Sequence, residues 1–270
     1  MLQFIQTLKA RNETLFYFGL ICALATLVFA VLTQTTNTKV YAINAYIKPL
    51  KFALSTFLLV WAMSWYIGYL PNFNPTIFNW TIIISLGFEI VYIALQASRG
   101  QLSHYNQSTP LYTVLYALMA IAATVATLAV AYVGLKFFGN EIVELPDYYL
   151  WAIRLSILIF VVFSLEGFVM GSRLTHTIGG TDHEAVLPFV NWSTKYGDPR
   201  IAHFIGMHAL QVLPVLAFYL LKNTKWVLLA AFLYALLAGF TLWQALQGRP
   251  LWRGFNNPPT QTTHPLKSDF

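Results

Sequence analysis

Seven times along this chain, about 20 consecutive residues pass with hardly a charge among them, the length a helix needs to cross the hydrocarbon of a bilayer. The runs lie near 15–34, 49–70, 75–97, 110–135, 148–172, 199–221 and 226–247. Hydrophobic residues make up 57% of the sequence, charged residues only 10%, and the mean hydropathy is +0.60. A soluble domain carries roughly 25% charged residues, so this chain cannot cover itself with a water-facing surface. The expected fold class is all-α: a polytopic membrane helical bundle with about seven transmembrane helices over 1–253, then a disordered polar tail over 254–270 rich in Asn, Pro and Thr.

Local signals set the helix starts. Asn74-Pro75, Thr109-Pro110 and Asp198-Pro199 each join a capping side chain to a proline whose missing N–H costs nothing in a first turn. Pro214, inside the sixth run, predicts a kink. Lys9 and Arg11 precede the first run, which is long and has no small-residue cleavage site after it, so it reads as a retained helix. With one cysteine, Cys22, neither an intrachain disulfide nor a cysteine-based metal site is available. The +6 formal charge suits a rim that meets anionic lipid. The clustered basic face that nucleic acid requires is missing. Membrane lipid and a partner subunit in a membrane complex are the interactions the sequence admits.

The connections are unequal. Most are short, but 174–198 holds three glycines, two histidines and three acids, and a connection of that length is usually functional. With seven spans, the connections after runs one, three and five share a face with the C-terminus. That face carries Lys39, Lys48, Lys51, Arg99, Arg173, Lys195, Arg200, Arg249, Arg253 and Lys267. The other has only Lys9, Arg11, Lys136, Arg154, Lys222 and Lys225. The excess predicts that the first face is cytoplasmic, although Lys9 and Arg11 argue the other way.

The chemistry gathers at that first face. His104, His176, His183, His203, His208 and His264 all fall there, available as metal ligands or proton carriers. Ser85, Glu89, Tyr92, Gln96 and Arg99 follow helical spacing and form one polar stripe on the third run. Glu166 and Arg173 share a face of the fifth, and Lys48, Lys51 and Ser55 one of the second. An unpaired charge at mid-bilayer costs at least ~2.5–3.5 kcal/mol, so Glu89 and Glu166 call for partners, and the basic residues of these stripes, Arg99, Arg173, Lys48 and Lys51, are the candidates. Asp198, Pro199 and Arg200 build an anion-friendly helix start. Gly179-Gly180 would let backbone approach a ligand closely. Candidate catalytic residues are Glu89 and Glu166; candidate anion-binding residues are Lys51, Arg99, Arg173 and Arg200. Candidate metal ligands are His104, His176, His203 and His208. His203 and His208 stand about 140° apart round a helix, so they need not share an ion.

Several segments carry a resemblance: KPLKFALS at 48–55, RGQLSHYN at 99–106, HTIGG at 176–180, WST at 192–194 and GDPRIAHFIGMH at 197–208. They are similar to segments of a group of uncharacterised bacterial multi-pass membrane proteins, from the second run to the sixth. The resemblance implies that these segments form a common core at one face, and it brings no reaction with it. The group is more glycine-rich where this chain reads GGTDHE at 179–184, which puts His183 outside the shared pattern.

Three functions remain open on the sequence. The first is a membrane enzyme or redox protein holding iron, zinc or haem through histidine and Glu166. The second is a proton-coupled transporter with Glu89–Arg99 and Glu166–Arg173 along its path; the third is an accessory subunit of a membrane complex. Phosphate-loop, dinucleotide and nucleophile-elbow motifs are absent, and the last run has no mid-membrane lysine for a retinal Schiff base.

Overall fold

The computed structural model describes residues 2–41, 43–139, 142–143, 145–182, 184 and 186–252. His183, Arg253 and the tail with His264 lie outside the described residues. The protein is an all-α bundle with, among the described residues, seven helical segments long and apolar enough to cross a membrane. They are α2 (Glu13–Thr35), α3 (Ile47–Ile67), α4 (Thr76–Ser98), α5 (Pro110–Lys136), the span Asp147–Arg173, the span Arg200–Leu221 and α9 (Thr224–Leu246). Apolar side chains such as Leu24, Leu27, Ile84, Leu128, Phe232 and Leu236 point outward along them, as a lipid-facing surface requires.

Two elements escape the periodicity argument. A short helix, α1 (Leu2–Arg11), precedes the first span at the face opposite the histidines. Leu8 buries fully, while Leu2 and Phe4 stay exposed. Its last residue, Arg11, sits 3.9 Å over the Trp65 ring and 4.1 Å over Tyr69, and donates to the Trp65 carbonyl at 2.7 Å. Asn12 then caps α2 and exchanges paired amide hydrogen bonds with Asn79 of α4. At the other face, β1 (Lys39–Val40) and β2 (Ile43–Asn44) form a two-residue antiparallel hairpin between α2 and α3.

Two expectations for the helices change in detail. The fifth span is not one continuous helix: α6 (Asp147–Leu165) stops at Glu166 and α7 (Gly167–Arg173) resumes. In the interrupted ladder the Phe163 carbonyl accepts the His203 Nδ1–H at 2.7 Å. In the sixth span, α8 (Arg200–Leu216) runs through Pro214, and the irregularity follows it as a π-helical turn, Ala217–Leu221. Proline has no N–H to offer the Leu210 carbonyl. Tyr66 on α3 donates its hydroxyl there instead, at 2.6 Å.

The core divides the bundle in depth. The half away from the histidines is filled by Leu15, Val60, Met63, Ile82, Val130, Phe137, Ile153 and Leu210, all essentially inaccessible. Buried polar groups concentrate in the other half, among them Glu89, Gln96, Ser103, Asn106, Glu166, Thr177, Ser193 and Asp198.

Candidate functional site

The segment 174–199 is built, not loose. Its ends are tied by backbone exchange between Ile178 and Gly197, and a second bridge joins Val186 to Ser193. The close approaches its glycines permit are to protein rather than to ligand. Gly179, at φ +95°, backs onto Gly248; a Cβ on Gly180 would overlap the Tyr196 ring, and one on Gly197 the Ala245 carbonyl.

Asp182 organises the near side of this segment. Its carboxylate accepts the His176 backbone N–H at 2.9 and 3.0 Å, the Thr175 hydroxyl at 2.8 Å and the His176 Nδ1–H at 2.8 Å. The Thr177 hydroxyl lies 2.9 Å away. Burial alone would raise this acid; the bonds from His176 and Thr175 outweigh it and hold the carboxyl well below the usual carboxylate range. An ionised Asp182 fixes the His176 proton on Nδ1 and the ring's lone pair on Nε2.

Two cations from the candidate anion set pin the far side. Lys51 donates to the Val190 carbonyl at 3.1 Å. Arg200 grips Asp198 through both carboxylate oxygens, at 2.6 and 2.9 Å, and donates to the Asn191 carbonyl at 2.5 Å. Asp198 also accepts the Ser193 N–H at 2.8 Å. Their donors are thus engaged with the loop itself. Arg99 and Arg173 are exposed at their helix ends.

The expected pairings Glu89–Arg99 and Glu166–Arg173 do not form. The polar stripe of α4 does face inward, with Ser85, Glu89, Tyr92 and Gln96 all buried, but it ends before Arg99. The cation whose field reaches Glu89 is Lys48, at the start of α3. Glu166 has its nearest basic atom in His203 Nδ1, at 3.5 Å.

His104 and His176 both pack on the Tyr105 ring, at centroid distances of 6.2 and 4.8 Å. His104 has its Nδ1 3.1 Å from the Ser103 hydroxyl, and Phe52, Tyr105 and Tyr116 pack round its ring. The charges of His176 and His203 both bear on it. Burial first, then the field of Lys48 and of the other two histidines, holds His104 well below the usual imidazole range. His176 is lowered by burial to about 4, with Arg200 and Lys48 adding to the effect and the Asp182 bond opposing it. Each of the three imidazoles therefore has Nδ1 occupied: by a hydroxyl, a carboxylate and a main-chain carbonyl. His208 is not part of this group; its ring packs on Phe204 at 4.4 Å and its Nδ1 faces Gln211 at 3.3 Å. Among the described residues, no three His, Cys, Asp or Glu side chains stand close enough to close on one metal ion.

Three contributors take roles that spacing alone does not assign. Tyr105 packs against His176 in a tilted contact, ring centroids 4.8 Å apart, and holds φ at +59°, a conformation a bulky residue keeps only where its surroundings dictate it. Burial pushes its phenol up. Lys48 is legible from its spacing, but not its reach to Glu89, His104 and His176 together. Asp182 was legible only as one of three loop acids, although flanking threonines at 175, 177 and 181 are the pattern of a side-chain-capped turn.

No protein-family model, no curated protein and no solved structure matches this chain. The resemblance to the bacterial multi-pass group therefore rests on the quoted segments, four of which supply residues to this site: Lys48 and Lys51, His104, His176, and Asp198 with Arg200 and His203.

Proposed function

We propose that this integral membrane protein is an enzyme or redox protein acting at one face of a bacterial inner membrane, with a first-row transition metal, iron or zinc, held by His104, His176 and His203. The observation that carries this reading is the shared anchoring of the three rings. A metal-ligating histidine characteristically donates its second ring N–H to a carboxylate or carbonyl, which sets the tautomer and aims Nε2 at the ion. Asp182 does this for His176 and the Phe163 carbonyl for His203. The depressed His104 and His176 keep their lone pairs at neutral pH, as ligands must. Loading requires the three rings to draw together, since they do not converge on one point as they stand.

Lys48, half-buried beside the cluster, supplies a positive field for an anionic group on the substrate. Haem lacks a comparable support: Phe52, Tyr105 and Tyr116 pack directly on His104, so a porphyrin would have to displace them. The transporter reading is weakened by the apolar packing of the opposite half, whose buried polar side chains, Asn12, Ser64, Asn79 and Thr127 among them, are uncharged. A metal-free second reading, in which His176 and Asp182 accept a proton from substrate, has the 2.8 Å pairing in its favour.

The test is substitution with metal content as readout. His104→Ala, His176→Ala and His203→Ala should each strip bound metal from folded protein, while His208→Ala retains it. Full metal content in the first three would refute the ligand set.

A further inference from the structure

The interruption between α6 and α7 leaves one acid unaccounted for. Glu166 has a side chain only 4% exposed, yet neither Oε1 nor Oε2 receives a hydrogen bond among the described residues. His203 Nδ1, at 3.5 Å, is beyond hydrogen-bonding reach and already gives its proton to the Phe163 carbonyl. The charge of Glu166 also bears on the Tyr105 phenol. Arg173, seven residues on, is exposed at the end of α7, and Asp182 is saturated by its own donors. A buried carboxylate without a counter-charge is strongly unfavourable inside a membrane bundle.

We propose that Glu166, at the α6–α7 junction, binds a monovalent alkali cation, sodium in the first instance. One carboxylate balances one positive charge, whereas a divalent ion there would leave an excess charge in a low-dielectric interior. The donors are hard oxygens, which suit an alkali ion and not a soft metal. Glu166 stands at the junction where α6 ends and α7 begins, and interrupted membrane helices are places where small cations are held. This site is separate from the histidine metal site: Glu166 faces Nδ1 of His203, on the opposite side of the ring from the proposed ligand atom Nε2.

The experiment uses the full chain in phosphatidylcholine nanodiscs at fixed pH and ionic strength, with sodium chloride exchanged for choline chloride. Thermal unfolding is followed by the unmasking of the buried Cys22 thiol. The expected result is a midpoint that rises saturably with sodium and not with choline, and a flat response in E166Q, which keeps the shape but not the charge. E166D, with the carboxylate withdrawn by one methylene, should respond only at higher sodium. No sodium response in the natural protein overturns the proposal, as does an unchanged response in E166Q or one confined to magnesium or calcium.

Discussion

Asp182 accepts the Nδ1 proton of His176 at 2.8 Å from six residues further along the chain, while also capping the His176 backbone. One carboxylate thus folds the loop and sets the tautomer of the histidine that the loop presents. Asp182→Asn keeps the shape but surrenders the charge that orders those donors. Charge-assisted bonds contribute roughly 1.5–3 kcal/mol, so amides in 174–199 should exchange faster with solvent in this variant, while those of α3 and α6 stay protected. Unchanged protection of the loop would contradict the account.

Acid should act on the same segment. In chelator-treated protein, His176 has its native value lowered to about 4, against about 6.5 when unfolded. The unfolded state therefore binds the proton first, and stability falls as pH drops from about 6.5 towards 4. Asp182 has the same sign, its stabilisation present above its ordinary carboxylate range and lost further down. The His176 contribution is at most roughly 3 kcal/mol. Protease sensitivity of 174–199 should increase across this window, and His176→Gln should flatten the dependence. A loop that tightens on acidification would reverse the sign required.

The far-side pin is a charge pair with a fully buried acid, Asp198. Arg200→Ala strands that carboxylate, a loss of roughly 3–5 kcal/mol for a broken buried pair. Arg200→Ala with Asp198→Asn should recover part of it, because the uncompensated charge is gone. Thermal midpoints of the single and double variants decide the matter; a double variant no better than the single would show that the bond to the Asn191 carbonyl dominates.

Gly197→Ala tests how the loop seats on the last helix. The added Cβ would meet the Ala245 carbonyl of α9, which is backbone and cannot rotate away. Overpacking of this kind costs typically 1–3 kcal/mol, and Cys22 should become reactive at a lower temperature. An unshifted midpoint would mean that α9 moves freely against the loop.

Much of this architecture is readable from the chain. The seven spans follow from apolar runs, and the buried face of α4 follows from the spacing of Ser85, Glu89, Tyr92 and Gln96. Thr109 caps α5 through the Tyr112 N–H, as its place before Pro110 implies. What spacing could not supply were pairings between elements. Glu89 looked to Arg99 because they share a helix face, but a helix-end arginine reaches water at less cost than it enters the core. Among the candidate cations, the one in range is Lys48, from another helix. Lys51 and Arg200 read as anion binders because their types suggest it, yet loop carbonyls and Asp198 occupy them first. Helix α1 and the 39–44 hairpin are too short to announce themselves by periodicity.

The most direct test of the central claim is elemental analysis of the full-length protein purified without added metal. The account predicts about one iron or zinc per folded chain, a three-histidine site with a position left open. Iron would point to redox chemistry and zinc to hydrolysis. Metal at background level, in protein whose loop 174–199 is shown to be ordered, would contradict it.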